Sequence, residues 1–363
     1  MTTRRELLRW TALAPLAGVA GMMPQAAAAD ALTPLWQAWT SVHMTAEGRV
    51  VDRWQDNASH SEGQSYGLLL AEAMGDRENF ERILDWSTRN LAVRPDALRA
   101  WKWAPESGGP GDGPGTVTDM NNASDGDLFH AWALLRAAQR FGVADWTRLA
   151  GEIGSALAAS CVRPDPAGKG GVVLLPGAEG FEIDGGVVLN PSYWCPRAMM
   201  AVGRVAGSQE LESAGADAVA HLATLSRSSL PPDWVSLTAA GYAEAPGKSA
   251  NYGYEALRVP LNLVWSGLSG HPAVLRAAAA YQPFLLNDLP DIPTIIAPVG
   301  GQILETSPDP GYRAIANLAA CLEPESNLRA MPAFTAAQPY YPATLHLLSL
   351  VAQREASFLC YSF

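Results

Sequence analysis

Two acidic residues occupy matching places in this chain. Ser61-Glu62-Gly63-Gln64 and Ser124-Asp125-Gly126-Asp127 both fit Ser-x-x-Gln/Asp, the capping-box spacing in which a serine side chain closes the first turn of a helix. On that reading Ser61 and Ser124 are N-caps, and Glu62 and Asp125 take the first helical position. Two carboxyl groups then project from two helix N-termini, where the macrodipole favours the ionised form. Many acidic residues sit at helix starts for that reason alone, so the pair needs further support.

Competing chemistries fail on context. Gly63-Gln64-Ser65-Tyr66-Gly67 matches the G-x-S-x-G nucleophile elbow, but that motif follows an apolar core strand. Here Gln55-Asp56-Asn57-Ala58-Ser59-His60 precedes it, and these polar residues predict no core strand. His43, His60, His130, His221, His271 and His346 are scattered, with no HExxH or His-x-x-His pair, so no metal and no cofactor is expected. His60 reads as a hydrogen-bonding neighbour of Glu62. The Gly/Pro loop 108–115 has prolines in place of backbone donors and no Lys-Ser/Thr after it. It reads as a flexible loop, not a phosphate cradle.

Carbohydrate chemistry fits what is left. Sugars present apolar C–H faces to aromatic rings and hydroxyls to carboxylates and amides. The chain holds 12 Trp and 10 Tyr, several in polar, loop-like surroundings: Trp101 and Trp103, Tyr193, Trp234, and Tyr252 and Tyr254 around Gly253. Singly, most such rings are core or loop anchors. Together with paired acids they suggest a glycan cleft, since glycoside hydrolysis needs one protonated and one ionised carboxyl group.

The elements that must position these residues are helical. Apolar residues recur at three- and four-residue spacing over 66–74 and 80–86, and again over 127–141, 146–160, 194–206, 209–224, 255–267, 272–282, 311–321 and 340–355. Gly/Pro-rich loops such as 108–115 and 290–298 separate them. Short apolar pieces at 172–175 and 187–189 read as strands, without βαβ alternation. Paired helices joined by loops predict an all-α barrel or bundle. With 363 residues, 48% hydrophobic and 17% charged, there is material for one large core, and no domain linker stands out. The net charge of -11 argues against nucleic acid as a partner.

The N-terminus reads as an export signal. Thr3-Arg4-Arg5-Glu6-Leu7-Leu8-Arg9 is similar to a twin-arginine motif, followed by an apolar stretch over 10–23 and small residues at 26–29 before Asp30. The stretch is short for a membrane span, and no later segment approaches one. Removal of 1–29 predicts a periplasmic or secreted domain over 30–363 carrying -13. Cys161, Cys195, Cys321 and Cys360 allow three full pairings or free buried thiols, and none is in a CxxC.

Longer blocks carry a resemblance. His60-Ser61-Glu62-Gly63-Gln64-Ser65-Tyr66-Gly67-Leu68-Leu69 resembles the signature around the acid of glycoside hydrolase family 8. Asn121-Asn122-Ala123-Ser124-Asp125-Gly126-Asp127-Leu128 resembles its second motif. Pro191-Ser192-Tyr193, Pro231-Pro232-Asp233-Trp234 and Tyr254-Glu255-Ala256-Leu257-Arg258-Val259-Pro260-Leu261 are similar to three further blocks in the same order. The resemblance is clear over 48–265 and looser to the C-terminus. Within the family the chain is most similar to the periplasmic cellulases that accompany bacterial cellulose synthase.

The resemblance implies an (α/α)6 barrel with its cleft where inner-helix N-termini gather, and an inverting endo-β-1,4-glucanase acting on β-1,4-glucan. It implies Glu62 as general acid, and Asp125 as the residue that holds the sugar before the scissile bond. Tyr66, Trp101, Tyr193, Asp233, Trp234 and Arg258 become substrate-binding candidates. The family's base is an aspartate, and this chain has Glu255 there. Glutamate serves as a base at a similar pKa, but its extra methylene reaches into space an inverting enzyme keeps for water. Xylan, chitosan and mixed-linkage glucan are alternative substrates, and a catalytically impaired glucan-binding accessory protein is an alternative role. The raised pKa that a general acid needs is expected from the neighbouring carboxylates Asp125 and Glu255.

Overall fold

Among the described residues, ten helices form where the apolar spacing predicts them, and one more, over 25–43, was not singled out from the sequence. The computed structural model of the chain describes residues 25–106, 108–168, 170–321 and 331–356. Eleven α-helices lie among these: α1 Gln25–His43, α2 Ser61–Met74, α3 Arg77–Asn90, α4 Ser124–Phe141, α5 Ala144–Cys161, α6 Pro196–Ala206, α7 Gln209–Leu225, α8 Arg258–Trp265, α9 Pro272–Leu286, α10 Pro310–Ala320 and α11 Tyr340–Glu355. The predicted export segment lies outside the described residues up to position 24, and 25–29 belong to α1. Among the described residues no helix is long and apolar enough to cross a membrane.

Burial sorts the helices into two layers. Helices α2, α4, α8, α10 and α11 are buried around nearly their whole circumference. Helix α6, which buries one stripe, bridges α4 to α8 and completes the ring, and α1, α3, α5, α7 and α9 pack outside it. The outer helices bury one stripe each, as α3 does with Phe80, Ile83 and Trp86. Five fully buried helices, the bridging α6 and five outer helices around a large apolar core make the expected (α/α)6 barrel.

Short antiparallel sheets decorate the ends. Ser59–His60, Lys102–Pro105 and Gly115–Asp119 form one, and Glu182–Ile183, Gly186–Leu189, Val235–Thr238 and Gly241–Ala243 another. Val162–Pro164 pairs with Val172–Leu174, and Ile292–Ile296 with Ile303–Ser307. Two of these strands match the apolar pieces read from sequence; Ile292–Ile296 instead falls inside 290–298, read from its prolines as a loop, and most of the others are too short to show a period. The two-residue strand Ser59–His60 departs from the expectation of no strand before α2. The 108–115 loop is also less free than its composition implied, because Arg49 Nη1 donates to Gly111 O (2.6 Å) and Asn57 Nδ2 to Gly108 O (2.7 Å).

The capping boxes do not form. Ser61 and Ser124 are the first helical residues, and the N-cap positions are His60 and Ala123, neither giving a side-chain cap. The backbone explains this: Ser61 N donates to Trp101 O (2.9 Å) and Ser124 N to Pro176 O (2.8 Å), so strand and loop contacts set where each helix starts. Ser61 Oγ donates instead to Glu62, and Ser124 Oγ to Leu175 O. The two helix starts nevertheless abut. A Cβ on Gly126 would lie 2.5 Å from Ser61 Oγ and 2.9 Å from Glu62 N, so only glycine permits this approach.

At the opposite end of the barrel a charged network ties four inner helices. Arg136 of α4 donates to Glu72 of α2 (2.6 Å) and with both terminal nitrogens to Glu355 of α11 (2.6 and 2.8 Å). Trp265, the last residue of α8, donates to the same Glu355 (2.8 Å), and the Arg136 guanidinium lies 5.1 Å over the Trp132 ring. These groups hold the Glu355 carboxyl below the usual range against the opposing effect of its burial. Arg136→Met should cost about 3 kcal/mol, because two enclosed carboxylates lose their shared partner. Urea denaturation at neutral pH measures it. A Glu355 pKa below its unfolded value supplies stability above that value and loses it as pH falls through the folded one. The Arg136→Met deficit should therefore shrink on acidification.

Candidate active site

The N-terminal ends of α2, α4, α8, α10 and α11 gather at one end of the barrel, around a cleft of about 620 Å³. Glu62, Tyr66, Trp101, Tyr193, Glu255 and Arg258 all line it. Asp125, Asp233 and Trp234 do not.

Arg258, the first residue of α8, is the hub. Its Nη1 donates to Tyr66 Oη (2.9 Å) and to Asp125 Oδ2 (3.2 Å), and its Nη2 to Ser192 Oγ (2.8 Å) and to Glu255. The guanidinium also lies 5.3 Å over the Tyr193 ring. Nearby acceptors hold it firmly protonated despite its burial.

Glu62 sits in the first turn of α2, where Trp101 Nε1 donates to its Oε1 (3.0 Å) and Ser61 Oγ to its Oε2 (3.1 Å). Its pKa is raised, and burial is the cause. The α2 backbone, Arg258, Trp101 and Ser61 all oppose the shift. The expectation that neighbouring carboxylates would supply it is corrected here. Desolvation leads, and the carboxylate repulsion appears on Asp125, raised well above the usual range by burial and then by Glu62. Asp125 has no solvent-exposed surface and lies beneath the cleft, bonded to Arg258 and to Gly126 N (2.8 Å).

Glu255 precedes α8 on a tight turn and its side chain is 35% exposed. Its Oε2 accepts from Arg258 and from Asn190 Nδ2 (3.2 Å). Asp233 builds that turn. Its Oδ1 accepts the backbone N–H groups of Gly253 (2.9 Å), Glu255 (3.1 Å) and Ala256 (2.9 Å), and its Oδ2 accepts Ser249 Oγ (3.0 Å). A Cβ on Gly253 would come within 2.5 Å of that carboxylate. Asp233 therefore positions Glu255 from behind. Trp234 stacks on Phe181 (centroids 6.0 Å, planes 6° apart) with the Lys248 ammonium 4.6 Å from its ring, which leaves it supporting Tyr193 from outside the cleft.

His60 differs from its expected role. Burial and then Lys102 lower its pKa to about 4, so it is neutral, and it packs 5.5 Å from the Trp101 ring. Its Nε2 has no hydrogen-bond partner among the described residues. Ser65, the apparent elbow nucleophile, is buried and spends its hydroxyl on Ser61 O and Gly126 O (both 2.7 Å). Cys161 and Cys195 are free buried thiols raised to about 12 and about 11 by desolvation, and Cys321 is disulfide-bonded.

The sequence reading did not single out several lining residues: Asp52, Trp54, Asp309, Tyr312, Tyr340 and Tyr341. Tyr340 and Tyr341 open α11, so a helix-start position of the kind that flagged Glu62 was also available there. Ser192 was within a quoted block and Asn190 directly precedes it, but they were not recognised as partners of Arg258 and Glu255.

Trp101 tests the assignment of the acid. Its indole N–H favours the ionised form of Glu62, so removing it in Trp101→Phe should raise the Glu62 pKa further. An isotope-edited NMR titration of the Glu62 carboxyl should show its midpoint move upward. A downward or absent shift would mean that this bond does not govern Glu62.

Comparison with known proteins places this geometry. Residues 7–355 match the family described as Glycosyl hydrolases family 8. A probable endoglucanase of Novacetimonas hansenii is 31% identical over 337 residues, covering 90% of this chain and 92% of the relative. An endoglucanase of Xanthomonas axonopodis pv. citri (strain 306) is 35% identical over 298 residues, covering 79% and 72%. The structure of the endo-beta-1,4-glucanase CMCax from Acetobacter xylinum superposes with a TM-score of 0.78 at 29% identity, over 91% of this chain and 99% of that one. A barrel whose inner-helix N-termini surround two cleft carboxyl groups, matched along nearly its whole length, belongs to glycoside hydrolase family 8.

Proposed function

We propose that this glycoside hydrolase is an endo-β-1,4-glucanase that cleaves cellulose-like glucan with inversion. The observation that carries the reading is a pair of half-buried carboxyl groups on one cleft, each held by different partners. Desolvation raises the pKa of Glu62, which suits a proton donor to the glycosidic oxygen. Glu255 is partly exposed and held as an acceptor by Arg258 and Asn190, which suits a base taking a proton from water. In an inverting reaction that water attacks the anomeric carbon from the face opposite the leaving group as Glu62 protonates it. Asp125 works through Arg258, fixing the guanidinium that orients Glu255. The endoglucanase names of the relatives support the β-1,4-glucan substrate.

The longer arm of Glu255 is compatible with this role because Arg258 and Asn190 fix the position of its carboxylate. Glu62→Gln and Glu255→Gln should each lower turnover of carboxymethylcellulose by roughly a thousandfold, with unchanged thermal melts. Glu255→Asp should keep activity or raise it. The first product anomer seen by NMR should be α. A β-anomer, or undiminished turnover in Glu62→Gln, would overturn the mechanism, and a wild type inactive on glucan but able to bind it would favour the accessory role.

The same reading assigns removal of 1–29, export by the twin-arginine route, and one catalytic domain over 30–363 serving cellulose synthesis in the periplasm. Arg4-Arg5 and the apolar stretch over 10–23 support the export route. Replacing both arginines by lysine should leave the protein in the cytoplasm on cell fractionation, and normal export of that variant would sink the pathway.

A further inference from the structure

Among the large side chains that line the cleft, Trp54 stands apart. It is 74% exposed, whereas the other aromatic residues there are buried or committed. Trp101 holds Glu62, Tyr193 lies under Arg258, and Tyr254 gives its hydroxyl to Glu305. Among the described residues the Trp54 indole has no hydrogen bond and no ring partner. A single exposed tryptophan is ordinarily unremarkable surface. Two features separate this one from that background.

The first is its position on the wall of the same cleft as Glu62, Glu255 and Arg258, beside the polar side chains of Asp52 and Gln55. The second is that the backbone beneath it is fixed. Asp52 N donates to Ala58 O and Ala58 N to Gln55 O (both 2.9 Å), which closes the loop at its base. Asp52 Oδ1 accepts Trp54 N and its Oδ2 accepts Gln55 Nε2 (both 2.9 Å). Asp56 and Asn57 take left-handed backbone angles, φ 53° and 57°, that few residue types tolerate. The enclosed Arg49 then clamps the loop through Ser59 Oγ (2.9 Å) and the carbonyl of Asn57. A rigid loop thus carries an unprotected apolar ring at a cleft rim. Leaving an indole in water forgoes burial free energy, and a ligand that covers it recovers that energy without the cost of ordering the loop.

We infer that Trp54 is an outer sugar-binding platform that stacks a glucosyl unit of a long β-1,4-glucan chain, with the exposed Gln55 amide beside it to meet the sugar hydroxyls. The inference rests on the glucanase reading. Trp54 lies outside the Arg258 network, so its contact adds affinity for chains long enough to reach it and leaves the proton transfers to Glu62 and Glu255. Because remote binding energy is drawn on in the transition state, kcat/KM should respond together with affinity.

Trp54→Ala, at an exposed position, should fold as the wild type does, and Trp54→Phe should restore most of the effect. The ratio of kcat/KM for cellohexaose to that for cellotriose should fall about tenfold in Trp54→Ala. Calorimetric binding of the same two sugars should show the same length-dependent loss when Trp54→Ala is added to Glu62→Gln, a background without turnover. A length-dependent loss in binding, combined with no glucan cleavage by the wild type, would keep the platform and sink the glucanase reading. An equal loss at both lengths, no loss at either, or no binding of either sugar would overturn the platform.

Discussion

A buried guanidinium must be surrounded by acceptors, and the cleft end of this barrel is organised around that requirement at Arg258. Its side chain is 7% exposed and meets Tyr66 from α2, Asp125 from α4, Ser192 from the turn before α6, and Glu255 from its own turn. Desolvating the charge is expensive, and it is tolerable only because each N–H direction finds an oxygen or an aromatic face. Four segments distant in sequence are thereby brought into one register. Asn262 reinforces the same join, donating to Ser192 O (2.9 Å) one turn further along α8.

The charge balance around that cation explains why the acids differ. Glu62, Asp125 and Glu255 surround one guanidinium, so full ionisation of all three would leave an uncompensated negative charge in a poorly solvated space. Burial opposes ionisation of Glu62 and Asp125, both raised, against the pull of the helix N-termini. An acid–base pair needs carboxyl groups that differ in how readily they ionise. Desolvation can supply such a difference without any special property of the residue types.

Periodicity made the helices legible, because inner and outer helices alike repeat apolar residues along a helix face. That Glu62 and Glu255 belong to one cleft was legible because their blocks are local: Glu62 with Ser61 and Tyr66, and Glu255 with Arg258. Contacts between segments were not. Nothing near Asp233 announces that its carboxylate accepts three N–H groups some twenty residues later, so it read as a cleft residue. Trp234 did as well, although Phe181 and Lys248 occupy its ring. The capping boxes failed for a related reason. The serines have the right spacing, but hydrogen bonds from Ser61 N to Trp101 and from Ser124 N to Pro176, set by tertiary structure, decide where each helix begins.

The two ends of the barrel then divide the work. Glu62, Asp125, Arg258 and Tyr340 open their helices at the cleft, while Glu72, Arg136, Trp265 and Glu355 lie toward the far ends of the same four. At the far end Arg136, Arg140, Arg197 and Arg354 outnumber Glu72 and Glu355, and the two carboxylates take up donors from several sides. At the cleft the ratio is reversed, with Asp52, Glu62, Glu255 and Asp309 lining a wall that offers Arg258 as its charged donor. Such a wall has acceptors to spare and repels anions. A neutral polyol, rich in O–H donors and apolar on its ring faces, complements it better than any phosphate or uronate would. The closed end stabilises the barrel, and that stability lets the open end hold its carboxyl groups in an arrangement that only a bound sugar completes.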